Sequence, residues 1–291
     1  MTSDDRCRIA ASGIAAEVAA QGAELQSLRD ADGHEYLWQA GPVWPRHAPV
    51  LFPIVGRLAG DTLRHDGRDY RMGQHGFARD HRFAWVARKP AACRLALTDD
   101  AQTRAAYPFP FHFEIGFEVE ADRLRVTYAL HNLAGALLPA SFGAHPAFRW
   151  PLRDGIAKEA HTLTFAEAEP APIRRLDGGL LKPELFPSPI AGRVLRLDES
   201  LFAADAVILD RIASRWLRYA APGGPALEVA WEGFPQLGLW MRPPGAFLCI
   251  EPWHGFADPL GFAGPFTDKP GLFHVPPGGS VTAVWSVRLR A

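Results

Sequence analysis

Two side chains that are far apart in the sequence have the chemistry of an acid and a base. Glu251 follows an apolar run, residues 247–250, and precedes Pro252, which lacks a backbone donor and restricts the turn. Burial in such a run raises the pKa of a carboxyl group and makes it a stronger base near neutral pH. Taken alone, however, a glutamate at a strand end is more often exposed or salt-bridged, since buried acids are rare.

His145 is the natural partner for this carboxylate. It lies between Phe142 and Phe148 among small residues. An imidazole with an unperturbed pKa of about 6.5 exchanges protons readily near neutral pH. A histidine in these surroundings is as often a hydrogen-bonded residue of the core. Considered together, His145 and Glu251 predict proton transfer without a cofactor.

Two further polar residues lie next to glycines. Arg57 follows Gly56, and His75 precedes Gly76, where the backbone can bend and let a ligand approach. Most arginines are exposed and most loop histidines are solvated, so neither residue indicates a site by itself. The motifs that contain these residues carry more information than the residues alone.

Four short motifs resemble those of the aldose 1-epimerase (galactose mutarotase-like) family and occur in the same order. They are Gly-Arg-Leu at 56–58, His-Gly-Phe-Ala-Arg at 75–79, Gly-Ala-His-Pro-Ala-Phe at 143–148 and Ile-Glu-Pro-Trp at 250–253. The resemblance begins near Pro53, continues to the carboxyl end and is strongest to the bacterial LacX-like branch. One such motif is weak evidence, whereas four in register are specific.

The resemblance implies a fold and a set of roles. The fold is all-β, an antiparallel β-supersandwich with an open cleft that binds a hexose. His145 matches the general acid of the family and Glu251 its general base, while His75 and Arg57 match its substrate-binding residues. The implied activity is that of an isomerase, an aldose 1-epimerase (mutarotase) that opens and recloses the sugar ring to interconvert α and β anomers. It needs no cofactor and no metal.

Other residues are expected to contact the sugar. The family holds sugar hydroxyls with an aspartate, for which this sequence offers Asp205 and Asp210, and we prefer Asp205. Five aromatic side chains are candidates for apolar walls against the sugar, namely Trp44, Phe77, Phe148, Trp240 and Trp253. For most of them an ordinary position in the core is the more common role. The best-known mutarotases have Ala-Asn-Arg after the glycine-arginine pair, whereas Leu-Ala-Gly-Asp follows here, which leaves the sugar preference open.

Three other functions are compatible with these residues. In a sugar-phosphate 1-epimerase, such as one for glucose 6-phosphate, Arg57 and Arg79 would bind the phosphate together with Arg46 or Arg82. A non-catalytic carbohydrate-binding protein is also possible, because a β-sandwich does not determine function. The third alternative is a metal enzyme whose ligands are two histidines and a carboxylate, His75, His145 and Glu251.

Composition excludes several classes of partner. The chain has 291 residues and a formal net charge of -1, without the basic surplus that nucleic acids or anionic membranes require. The amino terminus has no cationic start followed by an apolar core, and no run of about 20 apolar residues occurs. Three widely spaced cysteines predict neither a zinc site nor a disulfide framework. We therefore expect an unexported cytoplasmic protein, a monomer or a homodimer, whose partner is a small sugar.

Hydrophobic periodicity predicts the elements that must position these residues. Apolar residues alternate with polar or small ones over 124–130 and 281–289, as in strands with one face in a core. Over residues 14–28 the spacing is also compatible with a helix, and strands are only weakly preferred. The segment Pro170–Pro189 is rich in proline and glycine and predicts a long loop. We expect one domain over 1–291, in packed antiparallel sheets.

Overall fold

The structure is a computed structural model that describes residues 5–290, and strands are its main regular secondary structure. Alternation of apolar and polar residues accounts for the longest of them. In the described residues the strands are β1 (Arg6–Ala11), β2 (Ile14–Ala19), β3 (Leu25–Asp30), β4 (Val50–Leu51), β5 (Thr62–His65), β6 (Arg68–Arg71), β7 (Ala84–Lys89), β8 (Ala92–Thr98), β9 (Phe111–Glu120), β10 (Arg123–Asn132), β11 (Leu138–Ala140), β12 (Phe142–Ala144), β13 (Ala147–Arg149), β14 (Thr162–Phe165), β15 (Leu176–Asp177), β16 (Leu180–Leu181), β17 (Val194–Arg196), β18 (Val207–Leu209), β19 (Trp216–Ala220), β20 (Ala226–Glu232), β21 (Gln236–Trp240), β22 (Phe247–His254), β23 (Phe273–Val275) and β24 (Ser280–Arg290).

Helices are short and lie between strands. Within residues 5–290 the structure has one α-helix of a single turn, α1 (Ala101–Arg104), which Asp100 caps by accepting a hydrogen bond from the Thr103 amide. The remaining helical segments are 3-10 turns, namely Ala59–Asp61, Ala78–Asp80, Lys158–Ala160, Glu199–Phe202 and Phe266–Asp268. No helix among the described residues has both the length and the apolar character needed to cross a membrane.

The largest sheet is antiparallel and forms the rigid back of the molecule. In the described part of the chain it contains nine strands in the order β17-β14-β19-β20-β24-β10-β9-β8-β7. β10 lies between β9 and β24, and alternate residues of all three strands point into the core, as the periodicity predicts. This alternation fixes the register, because a slip by one residue would expose the whole apolar face.

A second antiparallel sheet carries the strand that contains Glu251. Over residues 5–290 it has the order β18-β21-β22-β12-β4, and β13 pairs with β22 beyond the end of β12. β22 therefore lies in the interior of this sheet, and its residues from Phe247 to Trp253 are buried. Both neighbours of Glu251, Ile250 and Pro252, are thus buried.

The two sheets pack face to face through aromatic side chains. Phe113 of β9 lies parallel to Phe142 of β12, with ring centroids 6.3 Å apart, and Phe142 also contacts Tyr128 of β10. Most buried apolar residues from both sheets belong to one continuous core. The predicted antiparallel β-supersandwich is confirmed. Of the predicted domain, 1–291, residues 1–4 and 291 lie outside the described part of the chain.

The structure settles two segments for which the sequence supported only a weak or general prediction. Residues 14–28 form strands β2 and β3, so the weak preference for strands over a helix is confirmed. The predicted loop Pro170–Pro189 contains a small hairpin, β15 and β16, whose turn is Gly178-Gly179 with both residues at positive φ. The hairpin matters for the site, because Leu176 at its start lines the main cavity.

Candidate functional site

A cavity lies over strands β18, β21 and β22. Its volume of about 520 Å³ falls within the range of about 300–1,000 Å³ that is usual for small-molecule sites. Glu251 and Trp253 of β22 face this cavity, whereas Ile250, the residue before Glu251, belongs to the main core. The lining residues are Trp44, Gly56, Gln74, His75, Arg79, His145, Leu176, Phe202, Asp205, Ala206, Ile208, Trp240, Met241, Arg242, Pro243, Glu251, Trp253 and Ala257.

The structure brings His145 and Glu251 into direct contact. Strands β12 and β13 both pair with β22, and the link between them, His145-Pro146, passes beside Glu251. The amide of Ile250 donates to the carbonyl of Pro146 at 3.3 Å, which fixes this crossing. As a result, His145 Nε2 lies 3.2 Å from Glu251 Oε2, and the two residues are 7% and 1% exposed.

Burial shifts the pKa values of this pair in opposite directions. Burial, with a smaller contribution from the charges of Arg79 and Arg46, lowers the pKa of His145 to about 3. It raises the pKa of Glu251 well above its usual value; the hydrogen bond from Trp253 opposes this shift, and the negative charge of Asp205 adds to it. Both shifts favour uncharged forms, so the pair holds a single proton that lies on the carboxyl group.

Aromatic rings enclose the imidazole of His145. Trp44 stacks on it with ring centroids 5.1 Å apart, and Trp240 approaches edge-on at 5.6 Å. His75 is also edge-on, at 5.7 Å. These rings limit the orientation of the imidazole.

Three of the five aromatic residues predicted as sugar walls line the cavity, namely Trp44, Trp240 and Trp253. Phe77 and Phe148 do not. Phe77 packs edge-on against Phe52, and Phe148 is fully buried in the main core.

Trp253 is held flat against the sheet by two glycines. A Cβ atom on Gly238 would lie 2.4 Å from the indole, and one on Gly143 would lie 2.7 Å from it, so neither position accommodates a side chain. Gly238 is the direct cross-strand partner of Glu251. In this position Trp253 Nε1 donates to Glu251 Oε2 at 3.2 Å. The two glycines therefore orient the indole that orients the carboxyl group.

His75 is in a strained backbone conformation. Its φ is +65°, in a region that non-glycine residues rarely adopt, and its amide donates to the carbonyl of Gly56 at 2.7 Å. The amide of Gly56 in turn donates to His75 Nδ1 at 3.1 Å. Burial lowers the pKa of His75 well below its usual value, so the ring is neutral and its proton lies on Nε2. His75 thus offers a fixed hydrogen-bond donor.

The structure separates the two candidate aspartates. Asp205 lines the cavity, with φ at +66° and with Oδ1 accepting from the amide of Ala206 at 2.8 Å. Asp210 does not line it; its Oδ2 lies 3.3 Å from Arg174 Nη1. Strained residues cluster at functional sites, and both Asp205 and His75 have this property. The geometry favours Asp205 as the residue that faces a ligand.

The predicted role of Arg57 receives no support from its position. Its guanidinium forms two hydrogen bonds to Asp61, at 2.7 and 2.8 Å, and it does not line the cavity. Asp61 occupies part of the segment that differs from the Ala-Asn-Arg of the best-known mutarotases. Arg79 lines the cavity instead, and its Nη2 donates to the carbonyl of Gln74 at 2.7 Å. The assignment of Arg57 as a substrate-binding residue stays a prediction.

Some cavity residues have no sequence signal of their own. Leu176 comes from the small hairpin, and Met241 and Arg242 follow β21 in a turn. Neither segment has a motif, because their position depends on how distant strands pair. Behind the cavity wall, Cys249 forms with His145 and Glu251 a cluster of potential metal ligands, whereas His75 is outside this cluster.

Solved structures with the same fold identify the class of protein. The galactose mutarotase related enzyme from Lactobacillus acidophilus matches with a TM-score of 0.90 and 30% identity, over 98% of this chain and 97% of that chain. A galactose mutarotase-like protein from Lactobacillus casei matches with a TM-score of 0.90 and 28% identity, over 98% and 100% of the two chains. The fold is therefore that of a galactose mutarotase-like protein.

The sequence comparisons define the family. Residues 5–259 match the aldose 1-epimerase family. The chromosomal protein LacX of Lactococcus lactis subsp. lactis is 33% identical over 268 residues, which cover 88% of this chain and 90% of that protein. The chain belongs to the aldose 1-epimerase family, and the resemblance read from its motifs is confirmed.

A first prediction concerns the glycine that makes room for Trp253. Gly238→Ala introduces a Cβ where the indole lies, and we expect it to lower the free energy of unfolding by about 1–3 kcal/mol because the ring must move. Gly116 is a matched control, since it is also in a strand and a Cβ atom added to it would lie 3.9 Å from its nearest neighbour. Gly116→Ala should change stability by less than about 0.5 kcal/mol in urea titrations. Equal effects of both substitutions would contradict this role of Gly238.

A second prediction concerns the protonation of His145. Because burial lowers its pKa from 6.5 to about 3, the imidazole should remain neutral as the pH is lowered through 6.5. Nitrogen-15 NMR of the ring nitrogens measures this directly, and the His145→Ala variant assigns the signals. A titration of the His145 ring centred near pH 6.5 would show that burial does not control its charge.

Proposed function

We propose that this chain is an aldose 1-epimerase that interconverts the α and β anomers of a hexose. The observation that carries the proposal is the 3.2 Å contact between His145 Nε2 and Glu251 Oε2 in the wall of a sugar-sized cavity. The anomeric hydroxyl O1 and the ring oxygen O5 are bonded to the same carbon, C1. A base for O1 and an acid for O5 must therefore lie near each other at one site.

Ring opening uses each group once. In the reacting state the shared proton is on His145 and Glu251 is a carboxylate. Glu251 removes the proton of the O1 hydroxyl, the C1–O5 bond breaks, and His145 Nε2 gives its proton to O5. The product is the open-chain aldehyde, with Glu251 protonated and His145 neutral. This is the form of the pair that burial favours.

Ring closure reverses these steps on the other face of the carbonyl. Rotation about C1–C2 turns the opposite face of the aldehyde toward O5. Glu251 returns its proton to the carbonyl oxygen, His145 takes the proton of the O5 hydroxyl, and the C1–O5 bond re-forms. Each group ends in its starting state, and the sequence moves protons without oxidation or reduction.

The other cavity residues position the sugar. His75 Nε2–H donates to a sugar oxygen, and the carboxylate of Asp205 accepts from sugar hydroxyls. Trp44, Trp240 and Trp253 cover apolar C–H faces. Because Asp205 and His75 are strained, their side chains are held in place before the sugar binds, which lowers the ordering cost.

The decisive test is substitution of the pair. We expect Glu251→Gln and His145→Ala each to lower the rate of anomer exchange by about 10²–10⁴-fold, because a positioned acid or base contributes that much. Polarimetry of freshly dissolved pure anomers and magnetisation-transfer NMR measure the exchange above the buffer rate. The control is Glu118→Gln, an exposed glutamate of β9.

The results distinguish an epimerase from a carbohydrate-binding protein. Near-normal activity in either variant of the pair would refute the assignment. Sugar binding by the unmodified chain with exchange at the buffer rate would indicate a carbohydrate-binding protein.

A sugar phosphate is a second candidate substrate, favoured by the cations beside the cavity. Arg79 and Arg242 line it, and the charge of Arg46 reaches both His75 and His145. Arg57 and Arg82, which were considered for this role, are not among the lining residues. Arg79 Nε is buried and makes no hydrogen bond among the described residues, although Asp80 Oδ2 lies 3.8 Å from it, so it retains a donor for a phosphate oxygen.

Comparing glucose with glucose 6-phosphate separates the two substrates. If the phosphate binds Arg79, Arg79→Met should lower kcat/KM for the phosphate ester by about 10- to 100-fold, the range for one hydrogen bond to a charged group. The loss for glucose should be smaller. Arg218→Met, at an exposed arginine of β19, is the control. Equal losses for both sugars would rule out a phosphate contact at Arg79.

A further inference from the structure

Directly behind the acid–base pair lies a thiol that the proposed reaction does not use. Cys249 is two residues before Glu251 on β22, so both side chains are on the same face of the strand. Cys249 is also the cross-strand partner of Ala147, just beyond the link that carries His145. One nitrogen of His145, the sulfur of Cys249 and one oxygen of Glu251 therefore lie within 4.8 Å of one another.

One of these groups has unused bonding capacity. Glu251 Oε1 is buried and accepts no hydrogen bond within the described residues, and Glu251 is 1% exposed. Buried polar atoms are normally satisfied, so an unpaired carboxylate oxygen in a residue that belongs to this group of ligands points to a missing partner. A cation satisfies a carboxylate, an imidazole and a thiolate at once.

We propose that His145, Cys249 and Glu251 bind a thiophilic divalent cation such as Zn²⁺ and that this binding inhibits the enzyme. Nitrogen, sulfur and oxygen ligands together are typical of zinc. His145 and Glu251 line the cavity, so the fourth coordination position faces the space that the sugar occupies. The inhibitory part of this inference rests on the proposed function, whereas the binding part does not.

The distances are compatible with tetrahedral coordination. With Zn–N and Zn–O bonds of about 2.1 Å and a Zn–S bond of about 2.3 Å, the ligand atoms lie about 3.5 Å apart. The His145–Glu251 contact of 3.2 Å is already close to this value. The widest separation, at most 4.8 Å, must shorten by about 1 Å, which side-chain rotation provides.

Binding displaces protons and so blocks the reaction. The cation takes the place of the thiol proton of Cys249 and of the proton that His145 and Glu251 share, and both protons go to the solvent. Glu251 and His145 then have no lone pair free for O1 or O5. Inhibition by Zn²⁺ should therefore be reversed by a chelator and should weaken at acidic pH, where protons compete with the metal.

Cobalt provides a readout that does not depend on activity. A thiolate bound to Co²⁺ absorbs in the near ultraviolet by charge transfer, and imidazole and carboxylate ligands give no such band. Titration of the chelator-treated protein with Co²⁺ should produce this band, and Zn²⁺ should abolish it. Cys249→Ala should remove the band and raise the Zn²⁺ concentration for half-inhibition at least about tenfold. The reference for each variant is its own exchange rate measured in the presence of chelator.

Cys93 supplies a matched control. It is another buried cysteine, close to Cys7 and absent from both the cavity and the ligand cluster. Cys93→Ala should retain the cobalt band and the zinc inhibition. A band that is lost with Cys93→Ala and kept with Cys249→Ala would assign the metal to the Cys7–Cys93 pair and overturn the proposal. A chain without anomer exchange that still shows the Cys249-dependent band would refute only the proposed function.

Discussion

The site depends on the desolvation of two ionisable groups that touch. An isolated carboxylate or imidazolium in the interior costs several kcal/mol, and the hydrogen-bonded pair avoids most of this cost because His145 and Glu251 share one proton. The ion pair and the neutral pair have the same net charge and differ only in the position of that proton. Their separation of 3.2 Å allows the proton to move without any rearrangement of the sheet. The proposed proton exchange with a sugar also requires a proton that moves without rearrangement of the sheet.

The surrounding structure keeps this pair dry and oriented. Trp44 stacks on the imidazole and Trp253 donates to the carboxyl group. Trp253 itself is fixed because Gly143 and Gly238 leave space for the indole between neighbouring strands. The nine-stranded sheet behind them supplies a rigid support, since its aromatic residues pack against the strands that carry the pair. Packing between the two sheets thus supports the strands that carry His145 and Glu251.

Strain is concentrated in the loops that complete the cavity. His75 and Asp205 both adopt positive φ, a conformation that costs on the order of 1–3 kcal/mol per residue. Hydrogen bonds hold them in it, from Gly56 to the His75 ring and from the Ala206 amide to the Asp205 carboxylate. The strands below these loops are regular and do not need side-chain hydrogen bonds to hold a strained backbone. Stability therefore comes from the sheets, and specificity comes from the loops on top of them.

The sequence alone determined the all-β fold and predicted that His145 and Glu251 form an acid–base pair. Period-two alternation in β10 and β24 reports burial of one face, which is a local property, and the ordered motifs placed His145 and Glu251 at one site. Tertiary structure decided how the neighbouring polar groups are used. Arg57 is neutralised by Asp61 and Asp210 by Arg174, whereas Arg79 and Asp205 face the cavity. The position of Cys249 beside the pair was likewise visible only after β13 had paired with β22. The reason is that periodicity reveals which face of a strand is buried, while the partner of each side chain is set by residues that only folding brings near.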